Sequence, residues 1–142
     1  MHHIHQAKQV LCSAEKMFQL VNNVDEYDQF IPYCTKSTIL HQDKHSMKAS
    51  ISLGLMGLEY SFTTQNKLIY GQSITINLVS GTFHHLSGCW QFIPLGDNHC
   101  SVEADFEFSI KNMLLRRLIN PMLERIIDEL IASFEKRAKE LS

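Results

Sequence analysis

The sequence contains no long hydrophobic run. No stretch of its 142 residues approaches the roughly 20 consecutive apolar residues that span a bilayer. The segment from Met1 to Lys8 has neither the apolar core of a secretory signal peptide nor the Arg- and Ser-rich composition of a transit peptide. We therefore expect the protein to reside in the cytoplasm.

Cysteine pairs are also absent. Cys12, Cys34, Cys89 and Cys100 are far apart in the chain, and no two of them form a C-x-x-C motif. This spacing disfavours a structural zinc site, and a reducing compartment disfavours disulfides. We predict that the four thiols are free and serve as small buried apolar groups.

The sequence has no large excess of charge of either sign. Thirteen Lys and Arg stand against fifteen Asp and Glu, which leaves a net charge of −2 with neutral histidines. A protein held to nucleic acid mainly by bulk charge would be strongly basic, so we expect no DNA partner. The content of 44% hydrophobic and 20% charged residues is typical of a globular protein. The length predicts one domain over residues 1–142.

Recognisable catalytic and metal-binding motifs are missing as well. The sequence has no Ser-His-Asp arrangement, no H-E-x-x-H and no glycine-rich phosphate loop. His3 and His5 can share a strand face, but no third ligand is evident, so we predict no metal site. We expect no enzymatic activity and keep a small-molecule cyclase or hydratase as an alternative. Such an enzyme would depend on the few polar residues predicted to point inward, which are Tyr60, Thr64, Asn66 and His85.

The periodicity of apolar residues predicts an α+β fold. Apolar residues alternate with polar ones between about residues 34 and 110, most clearly from Cys100 to Ile110, as expected of an antiparallel sheet with one dry face. A further strand is expected at residues 3–11. Two short helices follow it, the first capped by Ser13, and a long helix spans Asn112 to Leu141, where Pro121 should kink it or split off its first turns. We predict six or seven strands curved around the long helix, with an apolar gap between the two layers.

Several short stretches resemble one known family. They lie in the family's order along nearly the whole chain: Ser13-Ala14-Glu15 with Met17-Phe18 and Leu20-Val21, Tyr27 to Cys34, Phe62 to Asn66, Gly81 to Leu86 followed by Gly88, Trp90 and Phe92, and Phe134 to Ala138. The chain resembles the helix-grip (START-like) superfamily of polyketide and lipid binders, and more narrowly its group of RatA toxins and coenzyme-Q-binding proteins.

The resemblance implies two roles and does not choose between them, and the aromatic stripe together with the near-neutral charge places ligand binding first. We expect a cavity between sheet and helix to bind ubiquinone or a similar prenyl lipid non-covalently and so support respiration, with transient contact at the bacterial inner membrane for ligand exchange. The aromatic stripe of the strands offers a wall for a quinone ring. The predicted wall consists of Tyr60, Phe62, Ile76, Trp90, Phe92, Phe106, Phe108, Met122, Ile126 and Leu130.

Two loops are predicted to close this cavity. Tyr27, Phe30 and Tyr33 lie in a loop rich in large apolar groups, and Phe83 follows Gly81 in a second loop. The same residues could instead seal the core as fixed packing, and both interpretations stay open.

The resemblance also implies an alternative function. A protein of the RatA type would associate with the large ribosomal subunit and block its joining to the small one. Lys111, Arg116 and Arg117 form the basic cluster that could contact rRNA phosphate, although clusters of this size are usually only solvated surface. We expect ubiquinone binding first and ribosome association second.

Overall fold

The computed structural model describes residues 1–141 and confirms the α+β architecture. Its elements run in the predicted order, from one strand through two short helices and six further strands to a long helix. The strands are β1 (His2–Val10), β2 (Cys34–Gln42), β3 (Ser46–Leu55), β4 (Leu58–Ile69), β5 (Ser73–Gly81), β6 (His85–Gly96) and β7 (His99–Ser109). The helices are α1 (Ala14–Asn22), α2 (Tyr27–Phe30) and α3 (Met113–Glu140), and a 3-10 turn (Val24–Glu26) precedes α2.

All seven strands form one antiparallel sheet in the order β1-β7-β6-β5-β4-β3-β2. The chain therefore runs as a meander from β2 to β7, and β1 adds to the outer edge of β7. Register shifts interrupt the pairing within β2 and between Thr63 and Thr64 of β4. Such bulges increase local strand twist and help a sheet to curve.

Helix α1 begins where the sequence predicts. The Ser13 hydroxyl accepts a hydrogen bond from the backbone N–H of Lys16 at 3.1 Å, which satisfies one of the unpaired amides of the first turn. The helix buries Ala14, Met17, Phe18 and Val21, so its apolar face rests on the sheet.

Helix α3 is continuous from Met113 to Glu140, and Pro121 does not split off its first turns. The side chain of Asn112 caps it by accepting from the N–H of Leu115 at 3.1 Å. Pro121 is exposed to solvent, and so is Arg117, whose carbonyl group loses its usual partner at position 121. Water can hydrate that carbonyl on the outer face, which explains why the proline is tolerated within the helix.

The core lies between the inner face of the sheet and the helices. In β7 the side chains of Cys100, Val102, Ala104, Phe106 and Phe108 are all buried. Helix α3 packs against α1 and β1. Between α3 and the inner face of the central strands a cavity remains, and the ring of Trp90 on β6 contacts that of Phe134 on α3 beside it.

The cysteines are free and mostly buried. Cys12, Cys34 and Cys100 are buried and Cys89 is half-buried. Burial raises the pKa of Cys100 to about 11 and also raises the pKa of Cys12 and of Cys34. These three thiols are therefore protonated at neutral pH and behave as small apolar groups.

The Ser13 cap leads to a stability prediction. Ser13→Ala removes the acceptor for the Lys16 amide and should lower the free energy of unfolding by about 1 kcal/mol. Thermal unfolding should then show a fall in Tm of about 3 °C. Ser13→Asp supplies another good capping group and should retain most of the stability. An equal loss in both variants would mean that the cap is not the source of the effect.

Candidate functional site

An apolar cavity of about 150 Å³ lies between the sheet and α3. Its wall includes side chains from α1, α2, the six strands β2 to β7, and α3. Most residues predicted to bind ligand lie in this wall. They are Phe62, Ile76, Trp90, Phe106, Phe108, Ile126 and Leu130.

Three of the predicted wall residues lie elsewhere. Phe92 is buried against α1, with its ring centroid 5.8 Å from that of Phe18, because α1 covers that part of the sheet. Tyr60 and Met122 are half-buried but do not line the cavity. On α3 the positions that face the cavity are Leu123, Ile126, Ile127, Leu130 and Phe134, which leaves Met122 to one side of the stripe.

Trp90 joins the sheet to the helix at the cavity. Its ring centroid lies 5.7 Å from that of Phe106 and 5.8 Å from that of Phe134, both in edge-to-face geometry. Such pairs contribute about 0.5–1.5 kcal/mol each beyond the burial of their area. They connect the aromatic wall of the sheet to α3 beside the cavity.

Of the three residues in the first predicted gate, Tyr27, Phe30 and Tyr33, only Tyr27 lines the cavity. Tyr27 lines the cavity, and its hydroxyl donates a hydrogen bond to the carbonyl oxygen of Val21. Phe30 does not line the cavity. Its ring centroid lies 5.6 Å from that of Phe134 and 5.3 Å from the guanidinium carbon of Arg137. Tyr33 is 42% exposed and does not reach the cavity.

The second predicted gate residue, Phe83, is buried in the wall. Its ring lies 5.2 Å from that of Phe62 and 5.9 Å from that of Phe108. Gly81 permits this approach, because its φ of 131° lies in the left-handed region and a Cβ there would stand 2.6 Å from the carbonyl oxygen of Ser61.

A few polar groups interrupt the apolar wall. Thr64 and Asn66 project from β4 and are only 4% and 5% exposed, and Asn22 projects from α1. The Oδ1 atoms of Asn22 and Asn66 are buried and have no hydrogen-bond partner among the described residues. The alternation of β4 predicts that Asn66 points inward. The apolar pattern of α1 gives no such prediction for Asn22. His85 bonds to Ser87 instead and does not line the cavity.

The wall contains few groups that could transfer protons. Among the described lining residues there is no Asp, Glu, His or Lys. The titratable members are Tyr27 and Cys34, and burial raises the pKa of both. Acid–base catalysis is most effective with a pKa near the working pH, and these two groups stay protonated there. The arrangement suits the binding and orientation of an apolar molecule.

The predicted basic cluster lies at the beginning of α3. Lys111, Arg116 and Arg117 are exposed. The Nε and Nη2 groups of Arg116 both donate to the carbonyl oxygen of Ile110, at 3.1 and 3.0 Å, which ties this side chain to the end of the sheet. Exposed Met113 and Leu114 lie between the basic residues in the sequence.

The amino-terminal histidines contact carboxylates on neighbouring elements. His3 bonds to Asp105 and His5 lies 3.5 Å from the same carboxylate, while His2 contacts Glu124 at 2.7 Å. The hydrogen bond from His3 lowers the pKa of Asp105. Across residues 1–141 no group of three or more His, Cys, Asp or Glu is placed to hold a metal ion.

The packing of Phe106 over Gly88 leads to a second prediction. A Cβ at position 88 would overlap the Phe106 ring, standing 2.6 Å from Cε1. Gly88→Ala should therefore push Phe106 toward the cavity and destabilise the protein by about 1–3 kcal/mol. Chemical denaturation measures this loss, and the fluorescence of Trp90, the sole tryptophan, should report the changed surroundings.

Gly96→Ala is the matched control for that variant. Its Cβ would meet the side chain of His99 at an ordinary contact distance of 3.9 Å. If Gly88→Ala were as stable as Gly96→Ala, the Phe106 ring would not be held where the structure places it.

Comparison with known proteins supports a family assignment. The family described as polyketide cyclase / dehydrase and lipid transport matches residues 10–135. The ribosome association toxin RatA of Escherichia coli K12 is 39% identical over 129 residues, which cover 91% of this chain and 82% of the toxin. A more distant relative is the mitochondrial coenzyme Q-binding protein COQ10 homolog B of Xenopus laevis, 24% identical over 89% of this chain and 53% of that protein.

A solved structure shares the whole fold. The crystal structure of a protein from Thermus thermophilus superposes with a TM-score of 0.89, and the match covers 99% of both chains. Sequence identity is 14%, so this likeness shows the fold alone. In residues 1–141 no helix is both long enough and apolar enough to cross a membrane.

Proposed function

The chain belongs to the polyketide cyclase / dehydrase and lipid transport family, and from this premise we propose that it associates with the large ribosomal subunit in the manner of a RatA toxin. The sequence patterns favoured ubiquinone binding over ribosome association, and the relatives favour the reverse order. The observation that carries the proposal is the similarity to RatA along nearly the whole chain. We further propose a cytoplasmic location and a role without catalytic turnover.

The beginning of α3 is the surface we assign to rRNA. Lys111 and Arg117 are exposed there, at the amino-terminal end of a long helix, where the helix dipole also favours phosphate. Arg116 supports this surface by holding the Ile110 carbonyl. Because the net charge of the whole chain is −2, such binding depends on a local patch rather than on the overall field.

A charge-reversal variant tests this surface. Lys111→Glu with Arg117→Glu should remove the protein from the large-subunit fraction of a sucrose gradient. In a binding assay at several salt concentrations, each lost phosphate contact should reduce the slope of log affinity against log salt by about 1. The fold should remain, because both side chains are exposed.

The control for that variant reverses two charges elsewhere. Lys36 and Lys44 are exposed on β2 and on the turn that follows it. Lys36→Glu with Lys44→Glu changes the net charge equally and should leave sedimentation with the subunit unchanged. Absence of the unaltered protein from the large-subunit fraction would refute the ribosome proposal altogether.

A second candidate function, binding of a hydrophobic ligand, is favoured by the cavity. A volume of 150 Å³ accommodates a single ring, whereas pockets for drug-sized ligands run to about 300–1,000 Å³. Ile76, Ile127 and Leu130 line the cavity and are half-buried, so the cavity reaches the surface beside α3. We propose that the head ring of a prenyl quinone such as ubiquinone enters the cavity while its tail follows this route.

Burial of an apolar tail supplies affinity without charged contacts. Each methylene removed from water contributes roughly 0.8 kcal/mol, so even a short part of a prenyl chain adds substantially. Exposed Met113 and Leu114 beside Lys111 form a surface suited to brief contact with an anionic membrane during ligand exchange.

Solvent extraction tests the ligand proposal. Protein purified without detergent is extracted with organic solvent, and mass spectrometry should recover a quinone or similar lipid. Ala49 is buried in the cavity wall, and Ala49→Met should fill part of the space and lower recovery by about tenfold or more.

A substitution on the opposite face of the sheet provides the control. Thr75 lies on β5 with its side chain away from the cavity, so Thr75→Val should retain the ligand. Repeated recovery of no lipid from any form of the protein, with no binding of added quinone, would overturn this candidate function.

A further inference from the structure

Building on the ligand-binding role proposed above, we infer that Phe83 is the specificity-determining residue of the cavity, because its ring restricts the head group of the ligand to a single ring and disfavours a fused two-ring quinone. Phe83 lines the cavity from the short connection between β5 and β6 and belongs to no strand or helix. The other aromatic residues of the described wall all lie in strands or helices.

Phe83 lies at a break in the sheet. Pairing between β5 and β6 ends at Asn77 and Ser87. Beyond that point β5 continues to pair with β4 as far as Gly81, and β6 pairs with β7 from His85 onward. The two halves of the sheet therefore diverge at this end, and backbone pairing leaves a space between them.

The ring of Phe83 fills this space. Its centroid lies 5.2 Å from that of Phe62 on β4 and 5.9 Å from that of Phe108 on β7, both in edge-to-face geometry. The side chain is only 9% exposed. Because Phe83 also lines the cavity, its ring occupies room that a larger ligand would need.

The backbone on both sides of Phe83 is anchored. Thr82 donates to the carbonyl oxygen of Ser61 from its N–H at 3.1 Å and from its hydroxyl at 3.3 Å. The N–H of His84 donates to the carbonyl oxygen of Ser109 at 2.9 Å. Ser61 belongs to β4 and Ser109 to β7, so the connection is tied to both halves of the sheet. A ligand that pushes Phe83 outward must disturb these hydrogen bonds, which favours a ligand that fits the existing space.

The volume of the cavity matches one ring. An engineered apolar cavity of about 150 Å³ in another protein binds benzene, and the cavity between sheet and helix has about the same volume, 150 Å³. A naphthoquinone carries a second fused ring, and forcing extra atoms into a packed wall displaces side chains from their preferred positions. Truncation of Phe83 would provide the missing space directly beside the cavity.

The test compares two quinones with the same tail. A decyl-substituted benzoquinone and a decyl-substituted naphthoquinone differ only in the fused ring, and quenching of the fluorescence of Trp90, the sole tryptophan, reports their binding. The naphthoquinone has the larger apolar area, so adsorption to any apolar surface would favour it. The unaltered protein should nevertheless bind the benzoquinone more tightly, by about tenfold or more.

Phe83→Ala should admit the larger head group. This variant should bind the naphthoquinone about tenfold more tightly than the unaltered protein does, with a smaller change for the benzoquinone. Phe83→Leu retains an apolar side chain of intermediate size and should show the same change to a lesser degree. If circular dichroism shows that Phe83→Ala does not fold, the result for Phe83→Leu decides the question.

Phe30→Ala is the matched control. Phe30 is half-buried, its ring centroid lies 5.6 Å from that of Phe134, and it does not line the cavity. The same truncation there removes an aromatic ring near the cavity without enlarging it. The preference for the benzoquinone should therefore survive in Phe30→Ala.

The outcomes distinguish the role of Phe83 from the function on which it rests. If neither quinone binds to any form of the protein, quinone binding fails and the role of Phe83 fails with it. If the unaltered protein binds the naphthoquinone as tightly as the benzoquinone or more tightly, ligand binding stands and the size limit is wrong. A preference that survives in the folded Phe83 variants, or that is lost equally in Phe30→Ala, overturns the role assigned to Phe83.

Discussion

The structure depends on one constraint, which is that a seven-stranded sheet with a single apolar face must be covered. One long helix provides most of the cover, assisted by α1, and α3 lies closest to α1 and β1 while its side chains face the central strands across the cavity. Trp90 bridges the layers through Phe106 and Phe134. The space left over is mostly apolar because most residues facing it belong to the dry side of a strand or helix. The cavity follows from the size mismatch between the two layers.

Much of this architecture could be predicted from the sequence. The strict alternation of β7 specifies which side chains are buried, and the Ser13 and Asn112 caps mark where two helices begin. The cavity wall was harder to predict, because alternation assigns a face and does not say what covers that face. Phe92 shares the face of Trp90 but lies under α1, and Met122 lies one position from Leu123, which lines the cavity. These outcomes depend on tertiary packing, as do the continuity of α3 through Pro121 and the inward position of Asn22.

Asn66 is a buried polar residue in a mostly apolar wall, and its side-chain oxygen has no hydrogen-bond partner among the described residues. The surrounding wall is stabilised by apolar burial, to which an amide contributes nothing, and the unpaired oxygen opposes it. Natural proteins carry a margin of only about 5–15 kcal/mol, so one such group is tolerable only in a well-packed core. The aromatic pairs around Trp90 and Phe83 supply packing of that kind. A polar residue on the apolar face of a strand is a place where the sequence pattern and the requirements of folding disagree.

The two proposed activities use different physical forces at different places. Contact between Lys111 or Arg117 and a phosphate is electrostatic, and ions screen such contacts over about 8 Å at physiological ionic strength. Apolar burial in the cavity is insensitive to salt at that level. Both sites nevertheless involve α3, since five of its side chains line the cavity while Lys111 and Arg117 lie just before it and in its first turns. Salt should therefore weaken ribosome binding while ligand affinity stays constant, and a ligand affinity that fell in parallel would indicate that the two sites are not independent.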